Sequence, residues 1–163
     1  MRKKGDIIEI KNEMLKKYLD LQLKYVEFTN YIENKVKNLL TENNIKYQAI
    51  SSRVKTYESL EKKLTPEQIN GICRNIMNLN DLSGIRVIFY DEKARKYFLD
   101  VIRRNFKSVN IKLPKDILNY DGINVIVSVG ENIPKFDGML CEIQLTTVIS
   151  HAMNEFSHNI VYK

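Results

Sequence analysis

The chain has 163 residues, 44% of them apolar and 28% charged, an ordinary globular mix with enough length for one domain and its own core. No apolar run is long enough to cross a bilayer, and the basic start Met1–Asp6 leads into an amphipathic segment rather than the apolar core of an export signal. Two cysteines, Cys73 and Cys141, form no metal-binding or redox spacing, so they read as reduced thiols of a cytoplasmic protein.

In chain order, Asp6 to Thr41 carries apolar residues every three or four positions (Ile7, Ile10, Met14, Tyr18, Leu21, Tyr25, Phe28, Ile32, Val36, Leu39) with no Pro or Gly. This predicts one long helix, or two with a slight bend, packing on the domain or on another copy of it. Residues 42–46 read as a turn, Tyr47–Arg53 as a strand and Thr56–Leu64 as a helix. Thr65 and Pro66 cap and open another helix running to about Met77. The period then becomes two. Ile85–Tyr90 is a strand, Asp91–Phe106 a helix, Ser108–Leu113 a strand and Pro114–Tyr120 a loop. Ile123–Val129 and Met139–Leu145 are strands, joined by a turn over Gly130–Gly138, and Val148–His158 is a closing helix. The last strands are joined too closely for helical crossovers, so the sheet is expected to be mixed or antiparallel there, in an α+β domain of about five strands with helices over one face. Residues 1–46 form an N-terminal helical element and 47–163 the domain proper.

The net charge of +6 is uneven. Residues 1–64 hold fourteen Lys/Arg against nine Asp/Glu, whereas 116–163 hold two against six. Basic groups upstream and acids downstream suit anionic phosphates with a metal ion between them, although a solvated basic surface gives the same counts. Arg53 and Lys55 project the same way from an extended segment, Ser59 and Lys63 share a helix face, and a helix N-terminus lies between them. Such a set can grip a polyphosphate; its plainer reading is a charged surface helix. Asp81 precedes a strand bearing Arg86 and is either a metal or phosphate ligand or a turn residue. Glu142 lies in the apolar strand Met139–Leu145, sharing a face with Gln144 while Cys141, Ile143 and Leu145 take the other. A carboxylate there needs a partner, a metal or an open sheet face. Tyr120, at a loop–strand junction, can stack on a base or pack in a core. His151 and His158 are seven apart, too far for an adjacent-turn zinc pair, and read as structural.

Taken in order, these segments resemble the RelA/SpoT alarmone synthetases, above all the small single-domain ones, over about residues 47–163. The resemblance rests on Arg53-x-Lys55-x-x-x-Ser59-x-x-x-Lys63, Asp81-Leu-Ser-Gly-Ile-Arg86, Asn119-Tyr120-Asp-Gly-Ile-Asn124, Glu142-Ile-Gln144-Leu-Thr-Thr147 and His158-Asn-Ile-Val-Tyr162-Lys163. It implies a nucleotidyltransferase-like mixed sheet flanked by helices. It also implies an enzyme of the stringent response that moves pyrophosphate from ATP to the 3′-hydroxyl of GDP or GTP, making guanosine tetra- or pentaphosphate. Arg53, Lys55 and Lys63 would then hold ATP phosphates, with Ser59 supporting that segment. Asp81 and Glu142 would bind Mg2+, and Glu142 would help deprotonate the acceptor. Tyr120 would stack on guanine, Asn124 and Gln144 would lie near the acceptor, and Arg86 and His158 would support the site.

The departures from the family pattern are Asn119 for Gly, Gly122 for Ser, Asn124 for His, Thr146 for Arg and Ser157 for Glu. They cluster on the acceptor side, and some relatives of this kind modify the tRNA 3′ end instead. A catalytically silent nucleotide-binding module is the reading from another class. Relatives usually continue with further helices beyond the position of Lys163, so the resemblance implies a domain cut from a longer protein; a homo-oligomer is also compatible, and a membrane partner is not expected.

Overall fold

The computed structural model describes residues 4–71, 75–112, 122–130 and 133–161. The N-terminal stripe forms one continuous helix, α1 (Lys4–Glu42). Its apolar face, from Ile10 and Met14 through Tyr18, Tyr25, Phe28, Ile32 and Val36 to Leu40, is buried and belongs to the same core cluster as the sheet. The helix ends in a Schellman arrangement: Ile45 N–H donates to the Leu40 carbonyl and Asn44 N–H to the Thr41 carbonyl. Asn44 takes the left-handed conformation this needs (φ 51°), one that Asn tolerates better than most residues. Ile45 then folds into the core and starts the chain toward the sheet.

Five strands follow: β1 (Tyr47–Val54), β2 (Ser83–Phe89), β3 (Ser108–Lys112), β4 (Ile123–Ser128) and β5 (Cys141–Thr147), in the spatial order β1-β2-β5-β4-β3. Only β2 and β5 pair in parallel; every other neighbour is antiparallel, which gives the mixed sheet expected from the short last connections. Between β1 and β2 lie α2 (Tyr57–Lys63) and α3 (Pro66–Gly71), and α4 (Glu92–Asn105) and α5 (Val148–Val161) follow β2 and β5. Side chains cap several helices, Thr65 among them as the sequence indicates. Thr56 accepts from Ser59 N–H, Thr65 from Gln68 N–H and Asp91 from Ala94 N–H. The helix anticipated from Thr65 to Met77 is shorter. Asn75 is extended, its side chain accepts from Met77 N–H, and only a 3-10 turn (Ile76–Asn78) follows. Asn thereby diverts the backbone from helical pairing, as short polar side chains do.

Strand alternation divides the sheet into two faces. Ser83, Ile85 and Val87, Cys141, Ile143 and Leu145, and Ile123, Val125 and Val127 point into the core. There they meet α1, where the Thr29 hydroxyl lies 2.8 Å from that of Ser83, and α4, where Phe98 packs on Phe89 with ring centroids 5.6 Å apart. The opposite face carries Arg53, Gly84, Arg86, Glu142, Gln144 and Asn124. No described helix is long and apolar enough to cross a membrane.

Phe28 sits at the centre of the α1 face, fully buried, with Phe136 at 5.4 Å and Tyr25 at 6.4 Å between ring centroids. Phe28→Ala is expected to cost about 3–5 kcal/mol in urea unfolding. Leu23→Ala, on the solvent side of the same helix at 80% exposure, should stay within about 0.5 kcal/mol.

Candidate active site

The uncovered sheet face is built from two lateral rows. In the first, Arg53 on β1 stands opposite Gly84 on β2, and Gly84 opposite Glu142 on β5. Two strand spacings, roughly 10 Å, separate the Arg53 and Glu142 backbones. Gly84 keeps the space between them low: a methyl group there would touch the Arg53 side chain at 3.5 Å, so the arginine lies flat across the glycine. In the second row, Ser51, Arg86, Gln144 and Asn124 stand side by side on four successive strands. Arg86 Nε donates to Gln144 Oε1 at 2.6 Å, and Gln144 Nε2 points to Asn124 Oδ1 at 3.4 Å. Arginine thereby fixes which way the Gln144 amide faces. Together Ser51, Ser52, Arg53, Arg86, Glu142 and Gln144, with Gly84 at the floor, line a cleft of about 160 Å³. Glu142 is half-buried there, on an open face rather than in the core, which is how the strand accommodates a carboxylate. The face is closed beyond this patch, since Ile88, Ile126 and Thr146 on the same side are buried.

A second cluster lies where β1 runs out and β2 begins. Lys55 Nζ and Lys63 Nζ both donate to Asp81 Oδ2, at 2.9 and 2.7 Å. Lys55 comes from the residue after β1, its N–H bound to the Leu82 carbonyl, and Lys63 from the last turn of α2. Asp81 Oδ1 is buried and accepts no hydrogen bond from the described residues. Burial pushes the Asp81 carboxyl up, but the hydrogen bonds and charges of Lys63 and Lys55 outweigh that and hold it below the ordinary carboxylate range.

A sequence profile for the region found in RelA/SpoT proteins matches residues 52–163, which contain every one of these groups except Ser51. The chain belongs to the RelA/SpoT family. Its fold is also that of solved small alarmone synthetases. Synthetase 1 from Bacillus subtilis bound to its product pppGpp superposes with a TM-score of 0.69 at 17% identity, over 90% of this chain and 82% of that one. The same enzyme bound to AMPCPP gives 0.64 at 16% identity, covering 90% and 79%. A GTP pyrophosphokinase family protein from Streptococcus pneumoniae gives 0.68 at 17%, covering 90% and 77%.

Set on this RelA/SpoT scaffold, the residues singled out in the sequence separate into the two clusters. Arg53, Arg86, Glu142 and Gln144 share the cleft and Asn124 joins it through Gln144, while Lys55, Lys63 and Asp81 form the ion cluster. Ser59 belongs to neither: it is exposed and receives a 2.9 Å hydrogen bond from the Thr56 hydroxyl, stabilising the start of α2. Tyr120 and the side chain of His158 lie outside the described residues. Two contributors carried no chemical signal in the sequence. Gly84 acts only through its place between Arg53 and Glu142, and Tyr18 of α1, whose hydroxyl donates to the Lys55 carbonyl, reads simply as one more core position.

Among the described residues no three His, Cys, Asp or Glu side chains converge into a protein-only metal cage. Asp81 and Glu142 are the two acids that the family resemblance would assign to a divalent ion, and Asp81 Oδ1 accepts no hydrogen bond from the described residues. That donor set suits Mg2+, which commonly takes one or two protein carboxylates and completes its shell with substrate phosphates and water.

The depressed Asp81 pKa fixes a sign. Its stabilising contribution is complete above the unfolded value, near 3.8, and is lost as pH falls through the lower folded value. Wild type is expected to exceed Asp81→Asn by about 1–2 kcal/mol at pH 7, a figure reduced from that of a fully buried pair because Lys63 is 32% exposed. In chemical unfolding the gap should shrink steadily as pH drops below 3.8.

Proposed function

We propose that this protein is an ATP-dependent pyrophosphokinase that makes guanosine tetra- or pentaphosphate from GDP or GTP. The observation that carries this reading is the run of Arg53, Gly84 and Glu142 across three strands, with the Lys55–Asp81–Lys63 cluster at the strand ends. A cation and a carboxylate side by side on one sheet face, with two further cations at the strand ends, support this reading in a chain of the RelA/SpoT family.

Phosphoryl-group transfer needs positioning and charge compensation more than covalent participation by the protein. Arg53, Lys55 and Lys63 hold the ATP phosphates, and Glu142 accepts the proton of the acceptor 3′-hydroxyl. The 3′-oxygen forms its bond to the β-phosphorus as the bond from that phosphorus to the α,β-bridging oxygen breaks, and AMP leaves. Asp81 and Glu142 are the residues that would hold Mg2+. When bound, the ion offsets charge on the phosphate oxygens. Gln144, oriented by Arg86, and Asn124 face the acceptor, and the family resemblance gives Tyr120 the role of stacking on its base.

The acceptor side also supports a second reading. By the family pattern, Asn124 and Thr146 replace His and Arg, which would leave a free nucleotide fewer cationic contacts, and the tRNA 3′ end is the alternative acceptor; Thr146 is buried. Incubation with β-labelled ATP and GDP, GTP or tRNA separates the readings by which acceptor gains label; ATP binding without transfer to any of them would indicate a silent module. Glu142→Gln is expected to lower turnover by about 100- to 1,000-fold with an unchanged unfolding midpoint. Wild-type turnover in that variant would remove Glu142 from the chemistry.

A further inference from the structure

The N-terminal helix reaches the ion cluster at one point. Tyr18 is fully buried on α1, and its hydroxyl donates to the carbonyl of Lys55. Lys55 lies one residue past the end of β1, where the ladder no longer supplies a partner for that carbonyl. Its N–H is already committed to the Leu82 carbonyl at 2.9 Å. Residue 55 is thus held by the neighbouring strand on one side and by α1 on the other, and from that fixed backbone its ammonium reaches Asp81. Burial and the charge of Asp81 push the Tyr18 phenol up to about 12, so it remains a hydrogen-bond donor at any working pH.

Tyr25, two turns further along α1, is a built-in contrast. It is equally buried and stacks near Tyr18 with ring centroids 6.1 Å apart, yet its hydroxyl has no hydrogen-bond partner among the described residues. Two tyrosines therefore contribute the same kind of ring to the same core, and only one of them uses its hydroxyl to hold a residue of the site.

We propose that Tyr18 is a positioning residue for the ATP-phosphate subsite, acting through the Lys55 backbone, so that α1, outside the matched segment 52–163, is a working part of that subsite. The inference rests on the pyrophosphokinase reading above. The bond from Tyr18 sets where the Lys55 ammonium stands relative to Lys63 and Asp81, and a misplaced ammonium weakens its grip on a phosphate more than it disturbs the acceptor.

The test compares full-length Tyr18→Phe, Tyr25→Phe and Lys55→Ala, and the Tyr18→Phe/Lys55→Ala double variant. Binding of a non-hydrolysable ATP analogue is followed by calorimetry, with kcat and both KM values from labelled-ATP assays. Tyr18→Phe is expected to raise the analogue Kd and the ATP KM about three- to tenfold, leaving the acceptor KM unchanged and kcat within about twofold. Tyr25→Phe should match wild type. In the Lys55→Ala background the Tyr18 change should have no further effect, which a purely structural role would not produce. The inference is overturned if Tyr18→Phe binds the analogue normally, if both tyrosine variants weaken alike, or if the effects of Tyr18 and Lys55 simply add. A wild-type protein that neither binds the analogue nor transfers label defeats the pyrophosphokinase reading first, and this inference with it. Normal wild-type transfer with an unaffected Tyr18→Phe defeats this inference alone.

Discussion

Two ammonium groups share one oxygen of Asp81, and the architecture around the site follows from that contact. Lys55 arrives from the end of β1, Lys63 from the end of α2 and Asp81 from the turn into β2, so one carboxylate ties three segments together. The pairing is favourable because all three groups are at least two-thirds shielded from solvent, where attraction between charges is stronger than in water. It also leaves one positive charge in excess and one buried oxygen, Asp81 Oδ1, without a hydrogen bond from the described residues. Such a cluster is stable but electrostatically incomplete. In the proposed reaction, the donor phosphates would balance the surplus lysine charge.

The sheet topology supplies the rest. Glu142 is 61 residues after Asp81 in the chain, yet the parallel pairing of β2 with β5 sets it directly beside Gly84. Because β5 is inserted between β2 and β4, Gln144 is flanked on one side by Arg86 and on the other by Asn124, and Glu142 by Gly84 and Ile126. The core face does the energetic work of holding this order, through α1 and α4, and frees the opposite face to carry charge. Pairing polar residues with an open face and apolar residues with the helices lets one strand, Cys141–Thr147, serve both purposes.

Much of this is legible in the sequence because it is local. The stripe of α1, the Thr65 cap, and the alternation of Glu142 and Gln144 against Cys141, Ile143 and Leu145 are set by residues within a few positions of one another. The helical pattern does not continue to Met77, since the Asn75 side chain takes the Met77 N–H, a choice that propensity alone does not settle. Helix spacing puts Ser59 and Lys63 on one face, and in the structure Ser59 meets the α2 cap while Lys63 meets Asp81. The contacts that assemble the site, Tyr18 with Lys55, Lys63 with Asp81 and Arg86 with Gln144, join residues 37, 18 and 58 positions apart. Their existence depends on strand order, and no local pattern encodes that. The resemblance to the family pointed to most of those residues, though not to Tyr18 or to the spacing role of Gly84.

The central claim is that the cluster around Asp81 opens onto the donor phosphates and shares one cation with Glu142. A crystal structure of the protein with Mn2+, a non-hydrolysable ATP analogue and GDP tests it directly, since anomalous scattering locates the metal. A single manganese peak in contact with both Asp81 and Glu142 is expected, with Lys55 and Lys63 turned from the carboxylate to the phosphates. Manganese bound away from either acid, or a nucleotide bound elsewhere with both lysines still on Asp81, would contradict it.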